Sequence, residues 1–435
     1  MNVARQEPAT FNLQPATFLT GVLICFAVAA PCATAAHYTP TKVIINADNV
    51  LEINGKKVFH IGFDLPPLPD AKAFNGKNGI EELRAAGATF LQTGPGQPGW
   101  WTNQSALALE QKWEDAAARH GMYCWVRLSE VPKPGDAPAE EKFRAAINRF
   151  KNHPGLAIWN SVDEPEWGKY PVEPLLHAYQ LLHELDPKHP VSINHAPRGT
   201  IESLRAYNAA CDITGCDIYP ISYPPGLHVA DVATNREISV VGDFTRRMVE
   251  VAEGKKPVWI YLQIAWSGVI KPGKTLRFPT LSEQRFMTYQ AIIAGARGLI
   301  YFGGQLPQAL SPEDARLGWN WTFWRRVLKP VIEEIGDKSP LYPALVAPES
   351  KLPIRVKGDG IEFCVREVGS DIFLLACKRE GATIKAEFTG LPETATGGEV
   401  FFEDPRRVTL RAGAFTDWFA PFDVHVYRFK LSQNQ

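Results

Sequence analysis

Between residues 59 and 335 the sequence alternates short apolar runs with amphipathic stretches, and this alternation restricts the available folds more than any other feature of the chain. The apolar runs cover residues 59–64, 88–92, 123–128, 156–161, 191–194, 213–218, 258–263 and 298–302. Each is too short for an independent helix and is bounded by polar, Gly or Pro residues, so each reads as a strand. The intervening spacing predicts a helix ending at Gly87, then helices over 110–120, 140–151, 174–185, 201–210, 242–253, 282–296 and 321–335. Eight strands each followed by a helix, over roughly 250 residues, predict an α/β chain closed into a (β/α)8 TIM barrel.

The flanks read differently. Runs at 42–45 and 51–59, linked through Asn54-Gly55, predict an N-terminal β-hairpin within 37–58, before a barrel over 59–342. Beyond Pro343 short alternating runs, such as 361–365 and 372–376, predict a small antiparallel β-sandwich over 343–435. Residues 1–36 read as an export signal, with an apolar run from Phe18 to Ala30 and a small-residue cleavage pattern at Ala33-Thr34-Ala35. The alternative for this run is an uncleaved anchor. A secreted or periplasmic location is the expectation, without stable membrane insertion once the signal is removed. The mature chain would keep Cys124, Cys211, Cys216, Cys364 and Cys377, an odd set without zinc-ligand spacing. Cys364 and Cys377 would face each other across a hairpin turning near Ser370-Asp371.

Charge narrows the partners. Lys and Arg number 46 against 47 Asp and Glu, a net charge of -1 that gives no field for nucleic acid or an anionic surface. A neutral ligand suits this balance better. With 45% hydrophobic residues in 435, the chain can bury sizeable cores without disulfides.

Closed parallel barrels build their sites at the carboxyl ends of the strands. In strand order those ends carry Asp64, Gln92, Glu130, Asp163-Glu164-Pro165, Asn194-His195, Asp217 with Tyr219, Gln263 with Trp266, and Gln305. So many acids, amides and aromatics at one rim suit a polyhydroxylated ligand. Trp100-Trp101, after the second strand, is expected to face that ligand. Within Trp159-Asn160-Ser161-Val162-Asp163-Glu164-Pro165, an acid beside a second acid can hold its proton to higher pH and deliver it to a departing oxygen. The alternative is an acidic turn ended by Pro165. His60, Asp64, Glu130 and His195 lack metal-ligand spacing, and no cofactor is expected.

The Asp163-Glu164-Pro165 motif at the fourth strand resembles the large clan of (β/α)8 glycoside hydrolases that includes many cellulases, mannanases and beta-galactosidases. The resemblance spans the barrel and extends to the C-terminal sandwich. It implies a carbohydrate substrate, Glu164 as acid/base, and Asp163 as a ligand of the sugar beside the cleaved bond. It also implies a nucleophilic Glu at the end of the seventh strand, where this chain has Gln263. An amide cannot serve as that carboxylate. Three alternatives remain open at this point: inversion with Asp217, or next Asp64 or Glu130, as the base; attack by a substrate group held by Gln263 and Tyr219; or a non-catalytic barrel that only binds carbohydrate. His195 is expected to bond a sugar hydroxyl or tune Glu164, and Trp266 to offer a stacking surface, with packing as the alternative for both.

Overall fold

The computed structural model describes residues 39–94, 99–222, 234–265, 277–305 and 310–432. The export signal and Trp266 lie outside these residues. Three short antiparallel strands, β1 (Val43–Ile45), β2 (Leu51–Ile53) and β3 (Lys56–Val58), stand where the sequence predicts a two-stranded hairpin. Asn54 and Gly55, at φ 51° and 79°, supply the two left-handed positions of a type I′ turn between β2 and β3. Asn46 breaks the first run, because its Oδ1 accepts from the N–H groups of Asp48 and Val50, each at 3.0 Å. Val43, Leu51 and Ile53 pack against barrel-interior residues such as Trp125, Ile158 and Trp259. Buried Thr41 ties this sheet down, its Oγ1 lying 2.8 Å from His189 Nε2, whose Nδ1 is 2.8 Å from Asp186 Oδ2.

The eight central strands follow as expected: β4 (His60–Asp64), β5 (Phe90–Thr93), β6 (Tyr123–Arg127), β7 (Leu156–Asn160), β8 (Val191–His195), β9 (Ile213–Asp217), β10 (Val258–Gln263) and β11 (Gly298–Phe302). They pair in parallel and close into a barrel, β11 returning to β4. Alternate residues face the interior. His60 is wedged there between the rings of Phe90 and Trp259, at centroid distances of 4.2 and 3.9 Å. Glycine at 215 lets β9 approach β10, since a Cβ there would meet the Trp259 carbonyl oxygen at 2.2 Å.

Helices α1 (Gly79–Ala86), α2 (Gln104–His120), α3 (Ala137–Phe150), α4 (Val172–Leu185), α5 (Ile201–Arg205), α6 (Val240–Val251) and α7 (Leu281–Ile293) occupy the connections. Asn103 caps α2, and Thr280 forms a capping box with Glu283 on α7. The last helix is not regular. Its central turn, Trp324–Leu328, is widened, and Pro330 follows, which lacks an N–H and would clash with a carbonyl of a regular turn. No described helix is long and apolar enough to cross a membrane.

Two antiparallel sheets complete the chain. One has five strands, β13 (Ile361–Val368), β14 (Asp371–Lys378), β16 (Ala395–Phe401), β17 (Arg406–Arg407) and β19 (Val424–Leu431); the other has three, β12 (Arg355–Lys357), β15 (Ile384–Thr389) and β18 (Phe415–Phe419). An apolar layer with Phe388, Phe415, Tyr427 and Phe429 lies between them. The other side of the larger sheet, through Phe373, Leu375 and Val426, joins the barrel's core. Cys364 and Cys377 do not face each other. Cys364 pairs with Leu375 and Cys377 with Glu362, so the thiols are offset by two residues, and both are free and buried.

Candidate active site

The carboxyl ends of the barrel strands gather Asp64, Arg127, Asp163, Glu164, Asn194, Asp217, Tyr219 and Tyr261. Asp163 is held on both oxygens: Arg127 Nη2 donates to its Oδ2, and Asn194 Nδ2 donates to Oδ1 at 3.0 Å. A charge-assisted bond on one side and an amide on the other fix the direction of this carboxyl. Glu164 adopts φ 45°, a left-handed conformation disfavoured for a side chain with a Cβ. The turn is maintained by its N–H donating to the Asn194 carbonyl at 2.9 Å and by Gly168 N–H donating to the Glu164 carbonyl at 3.0 Å. Leu65 and Ser129, also just beyond barrel strands, have φ 57° and 62°. Backbone strain of this kind concentrates where side chains are aimed for function.

Burial, followed by the charge of Asp163, raises the Glu164 carboxyl above the usual carboxylate range. This carboxyl lies close enough to Asp217 for the two to perturb each other, and Asn194 Nδ2 is 3.5 Å from Asp217 Oδ1. Burial first, then the neighbouring Glu164 and Asp163, hold Asp217 far above that range. Asp217 thus lies beside Glu164, where the sequence suggests a base farther across the pocket.

Asp64, at the end of β4, is the other buried acid of the group. Burial raises it to about 7 against the opposing pull of Arg127, with Asp163 adding to the rise. Among the described residues its Oδ1 has no hydrogen-bond partner. Tyr219 lies within the field of Asp217, Asp64, Asp163 and Glu164 and stacks on Phe302 at 5.3 Å. Gln92 is buried on β5 in register with Trp125. Glu130 is exposed. Gln305 donates from Nε2 to the Pro66 carbonyl.

Several expected site residues take part in packing or in bracing the backbone. Gln263 is fully buried and grips one residue of the chain after β9: Oε1 accepts from Ile221 N–H at 2.8 Å while Nε2 donates to Ile221 O at 2.7 Å. An amide fits this donor–acceptor pair and a carboxylate does not, so Gln263 braces the chain after β9. His195 follows Asn194 on β8 and therefore points the opposite way, into the helix layer, edge-on to Tyr207 at 5.6 Å. Burial lowers its imidazole to about 4, and its ring packs in the helix layer. Trp100 and Trp101 are buried rather than ligand-facing; Trp100 Nε1 donates to the Arg127 carbonyl at 2.8 Å, and Trp101 packs on Phe143.

Arg127 and Tyr261 were missing from the rim read off the sequence. Both lie inside strands rather than after them, and the available signal was parity: Arg127 shares the inward face with Trp125, and Tyr261 with Trp259. Trp167, 55% exposed three residues after Glu164 with Arg198 at 5.8 Å over its ring, was missed as well.

Neither a protein-family model nor a curated protein matches the sequence. Solved structures do match in fold. A glycoside hydrolase family 5 structure from Bacteroides vulgatus ATCC 8482 superposes with a TM-score of 0.63 at 14% identity, covering 91% of this chain and 94% of that one. At this identity the likeness is one of fold. A structure described as a glycoside hydrolase gives 0.62 at 14% identity over 92% and 99% of the two chains. The alpha-amylase of Geobacillus thermoleovorans, complexed with acarbose, gives 0.54 at 11% identity over 86% and 98%.

Proposed function

We propose that this protein is a glycoside hydrolase acting on O-glycosidic bonds of an oligo- or polysaccharide outside the cytoplasm. The observation that carries the reading is the neighbouring Glu164 and Asp217 carboxyls, both raised by burial, beside the clamped Asp163 at the carboxyl end of a closed parallel barrel. Glu164 delivers a proton to the departing glycosidic oxygen as the bond to the anomeric carbon breaks. Asp217 keeps a proton within reach of Glu164 over a wide pH range. Asp163 accepts hydrogen bonds from sugar hydroxyls, its orientation set by Arg127 and Asn194.

With Gln263 committed to Ile221, and Asp217 to Glu164, Asp64 is the described carboxyl suited to be the base. It takes a proton from a water molecule whose oxygen attacks the anomeric carbon, so one water is consumed and the configuration inverts. A barrel that binds carbohydrate without cleaving it is the second reading, favoured by Gln263 in place of the carboxylate that the resemblance implies.

Hydrolysis of a panel of aryl glycosides and oligosaccharides by the purified chain, beside Glu164→Gln, separates the two. The expected result is turnover of at least one substrate, falling by about 10²–10⁴-fold in Glu164→Gln. Saturable sugar binding without turnover, unchanged in Glu164→Gln, would support the binding barrel instead.

A further inference from the structure

The smaller C-terminal sheet turns Phe388, Phe415 and Phe419 inward and presents its opposite face to solvent. That outer face carries Trp418, 61% exposed. Its backbone is fixed on both sides: the N–H donates to Asp417 Oδ1 at 2.9 Å, and the carbonyl lies 3.0 Å from His425 Nε2. Cross-strand pairing sets Lys385 directly beside Trp418, then Glu387 beside Thr416, and Lys357 beside Glu387. Lys357, Asp359, Lys385, Glu387 and Thr416 line a hollow of about 530 Å³ on this face.

We propose that this face is a second carbohydrate-binding site, for a neutral polysaccharide chain, with Trp418 as its stacking platform. The proposal rests on the reading of the barrel as a carbohydrate-acting domain. An indole plane covers the C–H face of a sugar ring, while the ammonium, carboxylate and hydroxyl groups beside it exchange hydrogen bonds with ring hydroxyls. Charge complementarity selects a neutral ligand: Lys357 and Lys385 are offset by Asp359 and Glu387 within the same hollow, which leaves no field for a polyanion. A protein partner fits less well, because interfaces bury a contiguous apolar centre, whereas Trp418 has Lys385 across the pair and Thr416 two residues before it on the same face.

The test is affinity electrophoresis of the full chain through gels containing soluble β-glucan, xylan, galactomannan or starch, beside Trp418→Ala and Trp418→Tyr. At least one polysaccharide is expected to retard the wild type, with affinity at least about tenfold weaker in Trp418→Ala and partly restored in Trp418→Tyr. Hydrolysis of small aryl glycosides is expected to be the same in all three. Equal retardation of wild type and Trp418→Ala, or no retardation in any gel, overturns the proposal. So does a self-association of the wild type that Trp418→Ala abolishes without changing retardation, which would assign the face to a second copy of the chain. Retardation that depends on Trp418 in a protein that hydrolyses no glycoside would keep this site and reject the catalytic reading of the barrel.

Discussion

Replacing Asp217 by asparagine keeps a hydrogen-bond donor beside Glu164 but removes the second carboxyl of the pair. The alkaline limb of the kcat profile should therefore move to lower pH, by about one unit or more, with the acid limb unchanged. An unshifted alkaline limb would show that the pair does not act together. Asp64 makes a separate prediction about stability. Its folded value, about 7, lies above the ordinary carboxylate value of 3.8, so the folded state binds the extra proton between those two values and loses stability as pH rises through that window. Asp64→Asn should leave stability near pH 4 almost unchanged and raise it at pH 8 by about 1–4 kcal/mol, as read by denaturant midpoints. Because Asp64 is also the proposed base, the same variant should lose turnover. Gln263→Glu tests whether the seventh-strand position is a disabled nucleophile. It would set a carboxylate oxygen against the Ile221 carbonyl, so a loss of about 1–3 kcal/mol and no gain in activity are expected. Among these residues the sequence disclosed Asp64, Glu164 and Asp217 by their position after strands. It did not disclose their roles, which depend on which carboxyl faces which. Nothing local in the sequence tells a Gln that binds substrate from one whose amide clasps a backbone residue forty-two positions away.

At the scale of elements, the barrel strands were legible because each is a short apolar run in a regular alternation, and their expected limits agree with the structure to within a residue or two. The helix ends were less so: α2 starts at Gln104, six residues before the expected start, because the Asn103 cap outweighs the polar composition of its first turns. His195 and Trp101 show the limit of reading position without parity, since a residue beside a rim residue points into the helix layer or the packed loop. Glycine spacing carried no visible sign of why β9 and β10 lie so close. Gly215→Ala places a methyl group 2.2 Å from the Trp259 carbonyl oxygen, backbone that cannot swing aside. We expect a loss of more than about 2 kcal/mol in the thermal or denaturant unfolding of this variant, and a neutral effect would mean that the two strands are less tightly apposed.

Across the whole molecule, barrel and sandwich share buried apolar surface. Arg379 reinforces the junction, donating to Asp243 on α6 at 3.0 and 3.1 Å and to Glu362 on β13 at 3.1 Å. A chain ending at residue 350 would leave the barrel residues that meet Phe373, Leu375 and Val426 open to water, and it should aggregate or unfold at lower temperature than the full chain, as light scattering during a thermal ramp would show. The central claim concerns proton delivery by Glu164, and leaving-group dependence tests it most directly. Turnover of a dinitrophenyl glycoside, whose leaving group departs without protonation, should be nearly retained in Glu164→Gln, while turnover of an alkyl glycoside or oligosaccharide with the same sugar should fall by about 10²–10⁴-fold. Equal losses on both substrates, or no loss on either, would contradict Glu164 as the acid.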